Sequence, residues 1–344
     1  MMTVGTTAAA RAAALQSVLD RLRRAKRVVL TTHVNADGDG AGSEVAAACW
    51  LASIGVEPTI VNPTPYPAAF TFLLEQKGAE KVKVAELGTP EAESALDAAE
   101  VLLVLDTGEP ARIGKVARAL SSRDVVVVDH HPPGPEPIRA MAEIREVTAC
   151  ATGELVYDLL QLDTSYRSWP AAVTQALYTA IATDTGSFRF SNTTPRTHEI
   201  VGDLIRRGVD PEHMYGRLYS VPLRRALLLR ESLATLEFDE ASGVAWISIP
   251  EDAMERLGVM PEDLDGIIEH ARTLEGAEVA LLFRQTGGST KVSFRSNGAT
   301  DVNAIARTFG GGGHVKAAGA LIGGGMEKNR TRVLEAVKQA VVRS

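Results

Sequence analysis

Asp129-His130-His131 sits directly after the aliphatic run 125–128. His33, Asp37 and Asp39 follow a second such run at 28–30, and Asp106 ends a third at 101–105. Asp184 lies in Thr183-Asp184-Thr185-Gly186, at the end of a helical pattern. Five carboxylates and three imidazoles thus fall on four separate turns. In an open α/β sheet the carboxyl ends of the strands are the ligand edge. Burying so much acid and imidazole without a cation is costly. Oxygen and imidazole donors without a thiolate suit Mn²⁺ or Mg²⁺, with Co²⁺ or Zn²⁺ possible in vitro. The set is large enough for two ions sharing one carboxylate, an arrangement suited to hydrolytic displacement at phosphorus. Singly, each signal is weaker. Asp37-Gly38-Asp39-Gly40 also reads as a plain turn, and a lone Asp at a helix or strand end is commonly a cap.

The elements that must position these groups alternate strand and helix. Leu15, Val18, Leu19 and Leu22 predict a helix over 10–25. Strands are expected at 28–32, 56–61, 101–105 and 124–128, and a helical stretch at 111–120. A polar loop is expected over 33–43, with a helix from Glu44 to Ser53. Further helices are expected at 153–162 and 170–183, a short strand at 188–190, and successive helices over 195–233. Beyond residue 235 the pattern gives strands at 243–248, 278–284, 290–295 and 318–322, with helices at 261–274, 301–309 and 328–342. The fold class is therefore α/β: a mostly parallel N-terminal sheet with helices on both faces, plus a smaller C-terminal α/β domain. The expected division is 1–220, a helical linker 221–235, and 236–344.

Composition excludes several classes. At 344 residues, two domains are the prior. Hydrophobic residues make up 45% and charged residues 23%, as in ordinary globular proteins. The net charge of −7 argues against a cationic groove for duplex DNA. The two cysteines, Cys49 and Cys150, read as packed thiols rather than a disulfide framework. No run is long enough for a membrane span. The Ala-rich start, residues 1–14, lacks a signal-peptide core, so a soluble, cytoplasmic protein is expected.

In their order along the chain, the motifs resemble those of the DHH phosphoesterase family. His33-Val-Asn-Ala-Asp37-Gly-Asp39-Gly-Ala-Gly42-Ser43 resembles its first motif, Leu105-Asp106-Thr107 its second, Asp129-His130-His131 its third and Thr183-Asp184-Thr185-Gly186 its fourth. Ala36 stands where a proline is frequent, with no ligand altered. The resemblance implies that His33, Asp37 and Asp106 hold one ion. It implies that Asp39, Asp106, His130 and Asp184 hold the other, with Asp106 bridging. His131 would face the phosphate as donor or general acid, and Asp129 would orient the imidazoles. Ser293-Phe-Arg295-Ser and Gly310-Gly-Gly-Gly313-His314 resemble the family's C-terminal domain. The glycines there permit close approach and free amides for phosphate oxygens, and Arg295 and His314 offer charge-assisted hydrogen bonds. Arg295, Gly311, Gly312, Gly313 and His314 are the expected substrate-binding residues.

The implied activity is Mn²⁺-dependent hydrolysis of very short RNA and removal of the 3′-phosphate of 3′-phosphoadenosine 5′-phosphate (pAp). Mg²⁺ or Co²⁺ are alternative ions, and a homodimer is compatible with the reading. Competing readings are hydrolysis of cyclic di-AMP or pApA, a RecJ-type exonuclease, a family II pyrophosphatase, and a nucleotide-binding regulator without turnover. His198, His213 and His270 are expected to be exposed, and Tyr66 and Phe70 to pack in the core.

Overall fold

The computed structural model of the chain describes residues 7–341. The extreme ends of the expected domains, 1–6 and 342–344, lie outside the described residues. The chain divides between Ser220 and Val221 into two compact units.

The first unit runs α1 (Ala8–Arg23), β1 (Arg27–Thr31), α2 (Gly38–Ser53), β2 (Glu57–Ile60), β3 (Lys83–Val84), α3 (Pro90–Ala98) and β4 (Val101–Leu105). After a 3-10 segment at Pro110–Ser121 come β5 (Asp124–Asp129), β6 (Ala142–Arg145), α4 (Thr152–Leu162), α5 (Ala171–Asp184), α6 (Pro195–Arg206) and α7 (Pro211–Tyr219). The six strands form one parallel sheet in the order β3-β2-β1-β4-β5-β6. Strands buried on both faces read as unbroken aliphatic runs, and their alternate residues separate accordingly. Val28, Leu30, Leu103, Leu105, Val126 and Val128 join the core under α1, α2, α4 and α5. Val29, Leu102, Val104, Val125 and Val127 join the core under α3 and the 3-10 segment. The order reverses between β1 and β4, so the ends of these two strands open the crevice where doubly wound sheets bind ligands.

Two local expectations are corrected. Residues 38–43 are not loop: α2 begins at Gly38, because the Asp37 side chain accepts from the amides of Asp39 (3.0 Å) and Gly40 (3.1 Å) and caps the helix. Gly38 and Gly42 serve close packing against α5. A Cβ at Gly42 would stand 2.4 Å from the Ala176 carbonyl oxygen, and one at Gly38 would be 2.4 Å from the Thr183 hydroxyl. The strand expected at 188–190 is a turn, with Ser187 (φ 58°) and Phe188 (φ 66°) left-handed. Cys49 and Cys150 are buried and free. Tyr66 and Phe70 pack against the core. His198, His213 and His270 are exposed.

The second unit comprises α8 (Leu223–Leu233), β7 (Glu237–Asp239), β8 (Val244–Ile249), α9 (Ala253–Arg256), a 3-10 turn at Pro261–Leu264, α10 (Ile267–Arg272), β9 (Val279–Thr286) and β10 (Ser289–Ser296). It continues with α11 (Val302–Thr308), β11 (Gly312–His314), β12 (Ala317–Gly323) and α12 (Met326–Ala340). Its mixed sheet has the order β11-β12-β10-β9-β8-β7. Val292, Phe294 and Ile322 face α11 and α12. Ala245, Ile247 and Leu282 face the opposite layer, to which α8 contributes the fully buried Leu228. The helix expected over 261–274 is broken at Gly266 (φ 83°). The expected Gly loop ends in strand β11, paired antiparallel with β12. No described helix is long and apolar enough to cross a membrane.

Candidate metal centre

His33 leaves the end of β1 almost fully buried. Its Nδ1 lies 3.0 Å from the Val34 carbonyl oxygen, which fixes one proton there and turns Nε2 inward. That Nε2 is 3.3 Å from Asp106 Oδ2 and 3.8 Å from Asp37 Oδ2, and it has no hydrogen-bond partner of good geometry. Burial opposes charging the ring, but the Asp106 and Asp37 carboxylates outweigh it and push its pKa up to about 10 where no cation is bound, so a divalent ion there would take the place of the Nε2 proton. Asp106 follows β4 in the left-handed region (φ 61°), and Thr152 Oγ1 donates to its Oδ1 at 3.0 Å.

The second group is held from α4. Ala151, at the N-cap of that helix, provides no side-chain cap, and the first-turn amides of Thr152 and Gly153 instead donate to Asp39 Oδ2 (2.6 Å) and Oδ1 (2.8 Å). Ser43 Oγ donates to Oδ1 at 3.2 Å. An anion at a helix N-terminus is favoured. Even so, burial and then the Asp106 and Asp184 carboxylates push the Asp39 pKa well above the carboxylate range. His130 Nδ1 is 3.2 Å from the Ala149 carbonyl, again leaving Nε2 bare and without a partner. This Nε2 lies 3.6 Å from Asp106 Oδ1, 3.7 Å from Asp39 Oδ2 and 3.7 Å from Asp184 Oδ2. Asn192 Nδ2 bridges the Cys150 carbonyl (2.9 Å) to Asp184, at its carbonyl (3.1 Å) and Oδ2 (3.2 Å). The stretch 149–153 thus touches His130, Asp39 and Asp106 directly, and Asp184 through Asn192.

Asp129 is buried and accepts from the His131 amide (3.1 Å) and Nδ1 (2.9 Å). This bond raises the His131 pKa against the opposing effects of burial and of the Arg112 cation. Asp129 orients His131 alone, since a main-chain carbonyl holds His130. The residues expected at the first-unit centre therefore converge. His33, Asp37 and Asp106 have ligand atoms close enough for one cation, and so have Asp39, His130 and Asp184. Two buried Nε2 atoms without hydrogen-bond partners, both facing carboxylate oxygens, suit divalent cations. Ser43 stands in the sequence only as the last residue of the first motif, and Thr152 and Asn192 belong to none of the motifs. They are supporting polar residues with no distinctive spacing.

In the second unit, Arg295 and His314 are both paired across strands with Ala317, so they share a sheet face on either side of it. Arg295 Nη1 donates to the Phe294 carbonyl at 3.0 Å, and its Nε lies 3.6 Å from Glu269 Oε1. The amides of Gly310 and Gly311 bond the carbonyls of Arg307 and Ala306, so the expected free amide at Gly311 is corrected. Gly311 and Gly313 are required by backbone approach: a Cβ at either would fall 2.1 Å and 2.5 Å from the Gly319 and Ala317 carbonyl oxygens.

A doubly wound sheet bearing an acid–imidazole cluster at its switch point, followed by a mixed-sheet unit, defines the class. Residues 27–182 match the DHH family, N-terminal domain, and residues 247–343 match the DHHA1 domain. The chain belongs to the DHH family of phosphoesterases. It is 31% identical to the bifunctional oligoribonuclease and PAP phosphatase NrnA of Thermus thermophilus over 318 residues, 92% of this chain and 91% of that protein. It is 27% identical to the Bacillus subtilis protein of the same name, over 86% of this chain and 89% of that one. Among solved structures, an exopolyphosphatase-related protein from Bacteroides fragilis has the same fold, with a TM-score of 0.81, 23% identity and 98% of each chain covered.

Proposed function

We propose that this chain hydrolyses RNA oligonucleotides of a few residues to mononucleotides and removes the 3′-phosphate of pAp, using two divalent ions, Mn²⁺ in preference to Mg²⁺ or Co²⁺. The observation that carries the reading is the pair of buried, partnerless Nε2 atoms of His33 and His130, both facing Asp106. The names of the Thermus and Bacillus relatives support the substrate class. In this reading His33, Asp37 and Asp106 hold one ion, and Asp39, Asp106, His130 and Asp184 hold the other. When bound, the ion pair supplies polarisation of the phosphoryl group and acidification of water. His131, whose pKa the Asp129 bond raises, donates a proton to the departing oxygen. Arg295, Gly312, Gly313 and His314 hold the nucleotide portion, and Gly311 serves the backbone approach alone. Duplex DNA falls outside the substrate range because the chain carries a net −7.

The test is a substrate panel with purified protein and Mn²⁺: pAp, a labelled RNA dinucleotide, pApA, cyclic di-AMP and a long single strand, each read as kcat/KM. Turnover of pAp and the dinucleotide well above the long strand is expected. Intact pAp and dinucleotide would overturn the reading. Equal, negligible turnover in wild type and His130→Ala would identify a binding protein.

A further inference from the structure

Arg112 belongs to none of the family motifs noted above, yet it sits beside the centre. Its carbonyl accepts from the Val34 amide at 2.7 Å, which ties it to the residue following His33. The fully buried Ile113 and the left-handed Gly114 (φ 51°), with Pro63 and Val34 near the position of its missing Cβ, fix the chain beyond. The side chain is half-buried. Its guanidinium pairs with no carboxylate and donates to no acceptor among the described residues. By contrast, Arg145, on the neighbouring β6, spends its donors on Glu143, Gly108 and Ile138, and Arg189, after Asp184, bonds the Gly186 carbonyl. The Arg112 charge lies within interaction range of His131.

Charge balance gives this cation a task. Asp37, Asp39, Asp106, Asp129 and Asp184 carry five negative charges if ionised, and two divalent ions return four. With His131 as the protonated donor the centre only reaches neutrality, so an arriving phosphate dianion is left without a counter-charge. A guanidinium presents planar paired donors that match two phosphate oxygens.

We propose that Arg112 is a substrate-binding residue that takes the non-bridging oxygens of the phosphate under attack. This rests on the phosphoesterase reading of the same centre. The test compares wild type with Arg112→Ala and Arg112→Lys by three measurements: calorimetric binding of Mn²⁺ alone, binding of inorganic phosphate to the Mn²⁺-loaded protein, and kcat/KM on pAp. Arg112→Ala is expected to bind phosphate at least tenfold more weakly and to lose about a hundredfold in kcat/KM, with Mn²⁺ affinity and melting temperature unchanged. Arg112→Lys restores part of the loss, because an ammonium cannot make the paired contact. Unchanged phosphate affinity, no phosphate binding by wild type, or a parallel fall in Mn²⁺ affinity would each overturn the proposal. If phosphate binding depends on Arg112 while wild type turns over neither pAp nor an RNA dinucleotide, the phosphoesterase reading fails and the anion site stands.

Discussion

Asp106 Oδ2 lies 3.3 Å from His33 Nε2, at a backbone position with φ 61° that an L-residue other than Asn or Asp rarely adopts. Strain of this kind persists where the surroundings over-determine it. Asp106→Asn keeps the tolerated conformation and the Thr152 contact but removes one of several crowded charges. Activity on pAp is expected to fall by three orders of magnitude or more, while the metal-free variant melts no lower than wild type. A clear drop in melting temperature would show that the carboxylate serves folding instead.

Metal should stabilise the first unit in proportion to its affinity. An ion at one hundred times its dissociation constant adds about 2.7 kcal/mol to the folded state. Thermal melting with and without EDTA should therefore separate by several degrees in wild type. His130→Ala should lose that separation while staying close to the metal-free wild type, since it deletes a bare Nε2 and only one hydrogen bond.

Glu44 is wholly buried in α2. Its Oε2 accepts from Asn62 Nδ2 at 2.9 Å, and Asn62 Oδ1 in turn accepts from the Thr32 amide at 3.0 Å. Burial pushes its carboxyl up to about 8 from 4.5. The folded state therefore binds more protons than the unfolded chain between those values, and Glu44 makes stability fall as pH rises through that window. Urea midpoints at pH 5.5 and 8 should differ more in wild type than in Glu44→Gln. Equal pH dependence in both would refute the assignment.

Gly42→Ala places a methyl 2.4 Å from the Ala176 carbonyl oxygen, between two buried helices with no flexible side chain to yield. Denaturant titration should show a loss of roughly 1–3 kcal/mol, typical of overpacking. Because α2 carries Asp39, weaker Mn²⁺ binding should accompany it.

These tests follow the division between what the chain announces and what it conceals. Buried parallel strands declare themselves as aliphatic runs, so the acid and imidazole groups at 33, 106 and 129–131 could be placed at strand ends directly. The start of α2 could not. Gly38, Gly40 and Gly42 carry the composition of a loop, and only contact with α5 (Gly38, Gly42) and with Thr32 (Gly40) shows that they are there for closeness. Gly311 and Gly313 likewise have the composition of a loop, yet they let the chain lie against β12. Asn192 reaches Cys150 and Asp184, and Arg112 reaches Val34, only through tertiary folding, and such contacts leave no period in a sequence.

Four of the groups holding the centre together between residues 149 and 153 are main-chain atoms: two carbonyls and two amides. Every amino acid but proline carries both, so these four attachments do not depend on side-chain chemistry, whereas the Thr152 hydroxyl and the tight approach of Gly153 to Ala180 do. Length is another matter. Adding or removing a single residue in this strap would shift every one of those attachments at once, so homologues should hardly vary there in count.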